Sequence, residues 1–250
     1  MMNILICGVG GRMGREVAKL ALDGVRGAVP VAAYDILPMD TREFPTYTDW
    51  NAVSEKIDCI IDFSHHAGTA ALLDFAVSRK LPVVLATTGH TPEELALIDH
   101  AAEQIPIFRS ANMSLGVALL VELAKTTAKT FPDADIEIIE KHHNRKLDAP
   151  SGTALLLANA IREIRTKARL VFGREGQAKR DKDDIGIHAV RMGNIIGEHE
   201  VIVGTDTQTI TLKHEAHSRA LFAEGALAAA EFLIGKTAGI YGMKQMIDSE

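Results

Sequence analysis

The stretch "NILICGVGGRMGREVAKLAL", residues 3–22, decides the fold of this 250-residue chain. It begins as a continuous apolar run, passes through Gly8, Gly11 and Gly14 at three-residue spacing, and continues as an amphipathic helical pattern. A strand, a glycine turn and a helix in this order let a pyrophosphate approach backbone N–H groups at a helix N-terminus. The glycine spacing is informative because it occurs in this context.

An acidic residue ends the second predicted strand, "VPVAAYD" (29–35). Asp35 lies 21 residues after Gly14, where an acid accepts hydrogen bonds from the adenosine ribose of a dinucleotide. We therefore predict that a dinucleotide binds here. The alternative is a glycine-rich turn next to a chance aspartate.

The first 110 residues continue the alternation of strands and helices. Further strands are predicted at 58–64, 82–89 and 105–112, and helices at 67–80 and 91–104. Continuous apolar strands that alternate with helices indicate a parallel sheet covered on both faces. The fold class is therefore α/β, with an N-terminal Rossmann-type, doubly wound parallel sheet.

The pattern changes after a predicted helix at 115–129. "ADIEIIEKHH" (134–143) alternates with period two, as a half-buried antiparallel strand does. A helix at 151–166, a charged loop at 174–184 and strands at 185–192, 198–204 and 207–216 follow. We predict a second α+β domain over 114–218, built on a mixed or antiparallel sheet, after a dinucleotide-binding domain that begins with 1–113.

Two polar stretches follow predicted parallel strands, "LATTGH" (85–90) and "FRSANMS" (108–114). Ligands of a doubly wound sheet bind beyond the carboxyl ends of its strands. Thr87, Thr88 and Asn112 are therefore candidates to line the nicotinamide, together with Ala111. The alternative interpretation is a set of ordinary polar loops and helix caps.

The stretch "KHHNRKLDAPSGTALL", residues 141–156, concentrates positive charge in one loop. His142 and His143 end a strand, so their side chains point to opposite faces, which disfavours binding of one metal ion by both. We infer that one histidine lies in the active site and the other binds a different part of the substrate.

The same loop leads into a predicted helix. The N–H groups of Gly152 and Thr153 lie at its start, where the helix dipole favours an anion. With Lys146 and the histidines they form a site for a small polyanion such as a carboxylate. The alternative is a solvated charge run before an ordinary capped helix.

Composition narrows the classes of function. The chain is 47% apolar and 24% charged, with a net charge of −6, which argues against general nucleic-acid binding. No apolar run approaches the ~20 residues needed to span a bilayer, and the N-terminus lacks the basic region of a signal peptide. Cys7 and Cys59 fall in apolar strands. We expect a cytoplasmic protein with buried thiols and no nucleic-acid or membrane partner.

Four motifs, "GVGGRMG", "ATTG", "SANMSLGV" and "EKHHNRKLDAPSGTA", resemble the bacterial dihydrodipicolinate reductase family (4-hydroxy-tetrahydrodipicolinate reductase) of lysine and diaminopimelate biosynthesis. The histidine-rich motif is highly specific, whereas the glycine motif alone is not. The C-terminal "HSRALFAEGA" and "GKTAGIYGM" resemble the closing helix and tail of that family. The resemblance therefore covers nearly the whole chain.

The resemblance implies roles for individual residues. Those that hold the cofactor are Gly8, Val9, Gly10, Gly11, Arg12 and Met13 at the pyrophosphate, Asp35 at the ribose, and Ala86, Thr87, Thr88, Ser110, Ala111, Asn112 and Met113 at the nicotinamide. His142 is implied as proton donor or acceptor and Lys146 as proton donor. His143, Gly152 and Thr153 are implied to contact the substrate.

The resemblance also implies the reaction: hydride transfer from NADH or NADPH to a cyclic, imine-type dicarboxylate. It joins residues 219–250 to the dinucleotide-binding domain, and it implies a homotetramer formed through the second domain and no metal ion. The chain departs from common family patterns in a short segment between Asp35 and Trp50, and at His65 and His66. Either histidine could contact the cofactor, but we favour a solvent-exposed loop.

Two alternatives belong to other classes of function. A non-catalytic nucleotide sensor would use the Rossmann-type domain alone, and it leaves the cationic loop unexplained. A metal-assisted hydrolase would use His142, His143 and Asp148, and the opposite orientation of the two histidines counts against it.

Overall fold

The computed structural model describes residues 1–249, which form two compact units. Unit 1 comprises Met1–Leu115 and the segment that begins at Arg219, and unit 2 comprises Gly116–Ser218. Within the described residues, no helix has both the length and the apolar character that a membrane span requires.

Unit 1 is built on a seven-stranded sheet in which every strand pair is parallel. Its strands are β1 Met2–Cys7, β2 Ala28–Tyr34, β3 Thr46–Tyr47, β4 Cys59–Asp62, β5 Val83–Leu85, β6 Pro106–Arg109 and β12 Gly239–Tyr241, in the order β12-β6-β5-β4-β1-β2-β3. The chain runs outward from β1 to one edge, then returns to β4 and runs to the other. The predicted doubly wound sheet is confirmed, and its direction reverses between β1 and β4.

Helices cover both faces of this sheet. They are α1 Arg12–Leu22, α2 Thr69–Arg79, α3 Pro92–Ala102, α6 Ala220–Leu233 and the short α7 Met243–Ile247. Alternate residues of β1 enter separate cores: Ile4 and Ile6 pack into one, and Leu5 and Cys7 into the other. Burial on both faces explains why these strands read as continuous apolar runs.

Both cysteines are buried in strands as free thiols, as predicted. Burial raises the pKa of Cys7 and of Cys59 above the ordinary value of a thiol. Neither side chain is therefore an activated nucleophile.

The C-terminal segment completes unit 1. Strand β12 pairs with β6 at the edge of the sheet, and α6 buries eight residues, most of them alanines. Gly225 in α6 packs against the backbone of Met113, because a Cβ at Gly225 would lie 1.6 Å from that carbonyl oxygen. Small side chains thus let the helix approach the sheet closely.

Unit 2 carries a five-stranded mixed sheet, as predicted. Its strands are β7 Asp135–His142, β8 Arg169–Phe172, β9 Asp184–Arg191, β10 Gly197–Gly204 and β11 Thr209–Ala216, in the order β11-β10-β7-β9-β8. Helices α4 Leu115–Thr130 and α5 Gly152–Ile164 contribute apolar residues to its core. The predicted hairpin of β10 and β11 is confirmed.

Two details of unit 2 differ from the sequence prediction. Strand β7 is antiparallel to β10 but parallel to β9. Helix α5 returns the chain so that β8 runs in the same direction as β7, and the segment 173–183 returns it again before β9, which is parallel to both. Strand β8 was not predicted, since its four residues are only partly buried and lack a clear alternation.

Candidate functional site

The glycine loop after β1 is fixed by the packing of the chain itself. Gly8 has a φ of 78°, and a Cβ there would lie 2.8 Å from the carbonyl oxygen of Phe63. A Cβ at Gly14 would lie 2.2 Å from the carbonyl oxygen of Gly8. The strand–helix turn therefore requires glycine at both positions before any ligand is considered.

Helix α1 begins directly after Gly11, whose extended backbone carries no side chain to cap the first turn. The first N–H groups of a helix have no partner within the helix, and the helix dipole favours an anion there. The exposed side chain of Arg12 adds positive charge at the same place. These residues fit the pyrophosphate of a dinucleotide.

Asp35 follows β2 and contacts the glycine loop. Its Oδ2 accepts a hydrogen bond from the N–H of Gly10 at 2.9 Å, and its Oδ1 accepts one from Leu37 at 3.3 Å. Each oxygen of an ionised carboxylate can accept more than one hydrogen bond. The structure thus brings Asp35 to the glycine loop with capacity left for ribose hydroxyls.

The loop after β5 is anchored by a buried acid that the sequence analysis missed. Thr87 donates its hydroxyl to Asp62 Oδ2 at 2.6 Å, and Ser64 donates to Asp62 Oδ1 at 2.5 Å. Burial raises the pKa of Asp62, although both hydrogen bonds act in the opposite direction. Thr87 is thus held inward, while Thr88 is exposed and Ala86 is buried.

The predicted residues after β6 form a tight turn. Ser110 donates its hydroxyl to the carbonyl of Asn112 at 2.7 Å, and Asn112 Oδ1 accepts the N–H of Ser114 at 2.9 Å. Ala111 is exposed at the tip and Met113 is buried below it. Because β5 and β6 are parallel neighbours, this turn and the Thr87 loop lie at the same edge of the sheet.

The two histidines outside the family pattern have different surroundings. His66 Nδ1 lies 2.9 Å from the carboxylate of Glu94, and its side chain is only 29% exposed. His65 is exposed, as expected of a surface loop. The expectation of a solvent-exposed loop therefore holds for His65 and only partly for His66.

In unit 2, strand β7 places two polar side chains, those of Glu140 and His142, on its buried face. His142 Nδ1 lies 2.6 Å from Oε2 of the fully buried Glu140. Arg191 on β9 binds the two oxygens of Glu140 at 2.8 and 2.7 Å, and the N–H of Ser151 donates to Oε1 at 3.0 Å. Burial acts to raise the pKa of Glu140, but these hydrogen bonds prevail and lower it.

Ser151 joins this cluster to helix α5 and to a second buried histidine. Its hydroxyl oxygen accepts the N–H of Ala154 at 3.2 Å, which caps the helix, and lies 3.0 Å from His199 Nε2. The ring of His199 meets that of His142 edge-on, with centroids 5.2 Å apart. Burial, followed by the proximity of His142, lowers the pKa of His199 to about 4.

The start of α5 is open. Gly152 is exposed, and a Cβ there would meet no described atom within 4 Å. Thr153 is half-buried beside it. Unlike Gly8 and Gly14, Gly152 has no packing requirement for glycine, which leaves space for a ligand to approach the amides.

Two lysines of the cationic stretch have different acidic partners. Lys146 lies 2.9 Å from Asp148 Oδ1, and this hydrogen bond lowers the pKa of Asp148. Lys141 instead pairs with Glu198 and Glu200 on β10. Lys141 is thus held by these two acids rather than by Asp148. His143, next to His142, is half-buried and donates its backbone N–H to Ile195.

Sequence reasoning missed Glu140, Arg191 and His199. The sequence did contain a sign of Glu140, because the period-two pattern of "IEIIEKHH" places it on the same buried face as Ile136 and Ile138. Arg191 and His199 reach the site from β9 and β10, and no local pattern marks them.

Metal binding gains no support from this geometry. Within residues 1–249, no group of three or more histidine, cysteine, aspartate or glutamate side chains is placed to hold a metal ion. His142 Nδ1 is bonded to Glu140, and Asp148 is paired with Lys146. The hydrolase alternative would require both groups to change partners.

Comparisons with known proteins cover the chain from end to end. The family model described as dihydrodipicolinate reductase, N-terminus, matches residues 2–113, and the one described as dihydrodipicolinate reductase, C-terminus, matches residues 116–247. A 4-hydroxy-tetrahydrodipicolinate reductase from Caldanaerobacter subterraneus subsp. tengcongensis is 48% identical over 251 residues, which cover 99% of this chain and 98% of the relative. The enzyme of the same name from Clostridium tetani is 43% identical, with 100% and 98% covered.

The structure also resembles solved structures. A dipicolinate-bound dihydrodipicolinate reductase from Paenisporosarcina sp. TG-14 matches with a TM-score of 0.80 and 26% identity, with 97% of both chains covered. A C. glutamicum DAP dehydrogenase in complex with DAP matches with a TM-score of 0.58 and 12% identity, over 100% of this chain and 96% of the other. The second likeness concerns the fold alone.

Proposed function

The chain belongs to the dihydrodipicolinate reductase family, and on this premise we propose that it reduces 4-hydroxy-tetrahydrodipicolinate to tetrahydrodipicolinate with NADH or NADPH, in lysine and diaminopimelate biosynthesis. The match of both halves of the chain to the two family models carries the proposal. The sensor alternative is not favoured, because the relatives are reductases over their full length.

We assign cofactor binding to unit 1, which comprises Met1–Leu115 and the segment from Arg219. The loop from Gly8 to Met13 would hold the pyrophosphate and Asp35 the adenosine ribose. The loops at 86–88 and 110–113 would border the nicotinamide. When bound, the dihydronicotinamide supplies the hydride of the reaction.

We assign substrate binding to unit 2. The amides of Gly152 and Thr153 at the start of α5 would bind one carboxylate of the dianion, with the helix dipole in support. Lys146 lies in the same loop and carries a flexible charge that can leave Asp148 for a substrate carboxylate. His143 would contact another part of the substrate.

Proton transfer falls to His142 or Lys146. The reaction takes up one hydride and one proton and releases water from the hydroxylated substrate. The hydrogen bond between Glu140 and His142 Nδ1 leaves Nε2 as the nitrogen available for proton exchange. Lys146 is a second possible donor, since its ammonium group carries three protons.

A spectrophotometric assay tests this function. Purified protein is mixed with freshly generated substrate and NADH or NADPH, and oxidation of the nucleotide is followed. We expect oxidation that depends on both substrate and protein. Absence of substrate-dependent oxidation with either nucleotide would refute the proposal.

We also propose, from the family likeness, a cytoplasmic homotetramer formed through the sheets of unit 2. Edge strand β11 is accessible to such an assembly, because none of its residues is buried. Sedimentation equilibrium tests the assembly, and a monomer mass at micromolar concentration would contradict it.

A further inference from the structure

Glu140 is fully buried in unit 2. Its carboxylate is hydrogen-bonded to His142, Ser151 and Arg191. We propose that Glu140 is a positioning residue that sets both the proton-transfer histidine and the anion-binding end of α5. This inference rests on the proposed function and deepens it. One carboxylate would thereby fix how the two parts of the substrate site lie relative to each other.

The first contact determines the tautomer of His142. An ionised carboxylate only accepts hydrogen bonds, so His142 must carry its proton on Nδ1, 2.6 Å from Glu140 Oε2. Nε2 is then the nitrogen that exchanges a proton with substrate. A Cβ at Gly197 would lie 3.1 Å from this Nε2, so glycine at that position keeps it uncrowded.

The second contact determines where α5 begins. The N–H of Ser151 donates to Glu140 Oε1 at 3.0 Å, while the Ser151 hydroxyl caps the helix. Gly152 and Thr153, whose amides we assign to the anion site, follow directly. The position of these amides therefore depends on the carboxylate that orients His142.

Arg191 makes this buried carboxylate possible. It neutralises Glu140 through two hydrogen bonds, and its Nη2 also donates to the carbonyl of Asp148 at 2.7 Å. A buried ion needs such a partner, since an unpaired charge in a protein core is strongly unfavourable. Because Arg191 holds both oxygens, the carboxylate cannot rotate away from His142 or Ser151.

The chain offers a matched control on the same strand. Glu137 lies on the other face of β7, with His188 Nε2 at 2.8 Å and Arg180 Nε at 3.1 Å. It is a glutamate with histidine and arginine partners like Glu140, but it contacts none of the proposed site residues. Glu137→Gln therefore reports the general effect of removing a paired carboxylate from β7.

The test combines ¹⁵N spectroscopy with kinetics on the full chain. Imidazole nitrogens are labelled in the 10 histidines, and the His142 signals are assigned by their absence in His142→Gln. We expect the Nδ1–H tautomer in the wild type. In Glu140→Gln, Arg191 keeps the amide oxygen and the amide NH₂ faces the ring, so His142 should switch to the Nε2–H tautomer. Glu137→Gln should leave the tautomer unchanged.

Kinetics separate positioning from general damage. Glu140→Gln should lower kcat by about 10- to 100-fold. This is the loss found in metalloenzymes when the hydrogen-bond partner that orients a histidine ligand is removed, and we expect a similar loss for an oriented histidine without a metal. It should also raise the substrate KM and leave the Kd of NADH unchanged. In a His142→Gln background, Glu140→Gln should change kcat by less than about twofold, because both changes remove the same interaction.

An unchanged tautomer in Glu140→Gln, or a kcat loss that adds fully to that of His142→Gln, would overturn the proposal. Should Glu140→Gln fail to fold, Glu140→Asp keeps the buried charge but withdraws it from the ring; a kcat within about twofold of the wild type would then refute positioning. The tautomer is measured without turnover. An inactive wild type with an Nδ1–H His142 would therefore refute the proposed function and leave the positioning role supported.

Discussion

Acidification should destabilise the protein through His199, a buried histidine outside the sequence prediction. His199 is 4% exposed and its pKa is lowered to about 4, chiefly by burial and then by His142. The unfolded chain keeps the ordinary imidazole pKa of about 6.5. Below that value His199 is protonated in the unfolded state but stays neutral in the folded state. The free energy of unfolding therefore falls as the pH drops from about 6.5 toward about 4.

The magnitude follows from these two pKa values. Between about pH 7.5 and about pH 5, proton linkage at this one site removes roughly 2 kcal/mol of folding free energy. For a chain of this length that corresponds to a fall in Tm of about 4–8 °C. The assay is thermal unfolding at both pH values for the wild type and for His199→Gln, which can retain a hydrogen bond to Ser151.

The control variant isolates this contribution. Burial also lowers the pKa values of His214 and His90. These two groups therefore add to the acid sensitivity of both the wild type and His199→Gln. Only the wild type carries the His199 contribution, and its Tm should therefore fall further than that of His199→Gln. Equal falls in Tm for the two proteins would show that His199 is not held neutral in the folded state.

Three further predictions concern the proposed active site. Asp35 should repel the additional phosphate of NADPH, so we expect NADH to be used at least as well as NADPH in kcat/KM, and Asp35→Ala to shift the ratio toward NADPH; a clear NADPH preference in the wild type would contradict this. Gly152→Val should raise the substrate KM with an unchanged Tm and unchanged NADH binding, because the position is open; equal losses of both affinities would indicate general damage. His142→Gln and Lys146→Met should each lower kcat by about 10²–10⁴-fold, with NADH binding nearly intact. Lys146→Met should also raise the substrate KM, and His143→Gln should act mainly on KM. A near-normal kcat of His142→Gln between about pH 6 and pH 8 would move the proton-transfer role to Lys146 or to water.

The parallel sheet of unit 1 was predictable because its signals are local. Each buried strand is a short apolar run followed by a polar or glycine turn, and each helix has its own periodicity. The two-residue strand β3 escaped prediction, since it is too short to show a period. Gly8 was singled out for the approach of a ligand, whereas the structure adds a reason from packing: Phe63 leaves no room for a side chain.

The proposed substrate site was predictable only in part. Residues of the loop from His142 to Thr153 are consecutive, so their charge and turn chemistry could be read together. The groups that organise them come from other strands: Arg191 is 51 residues from Glu140, and His199 is 48 residues from Ser151. Such contacts depend on strand order and register, which composition and periodicity do not reveal. The buried Glu140 was visible as an exception to the apolar face of β7, and such exceptions are expected at functional or strained positions.

The return of the C-terminal segment to unit 1 affects how the chain folds during its synthesis on the ribosome. Proteins generally fold from the N-terminus while the ribosome is still adding residues. Here the sheet of unit 1 lacks its edge strand β12 and its alanine-rich helix α6 until the last part of the chain emerges. Unit 2 is contiguous in sequence and lies between the two parts of unit 1. The nascent chain can therefore complete unit 2 before unit 1, so a prematurely terminated chain would expose the apolar face that α6 normally covers.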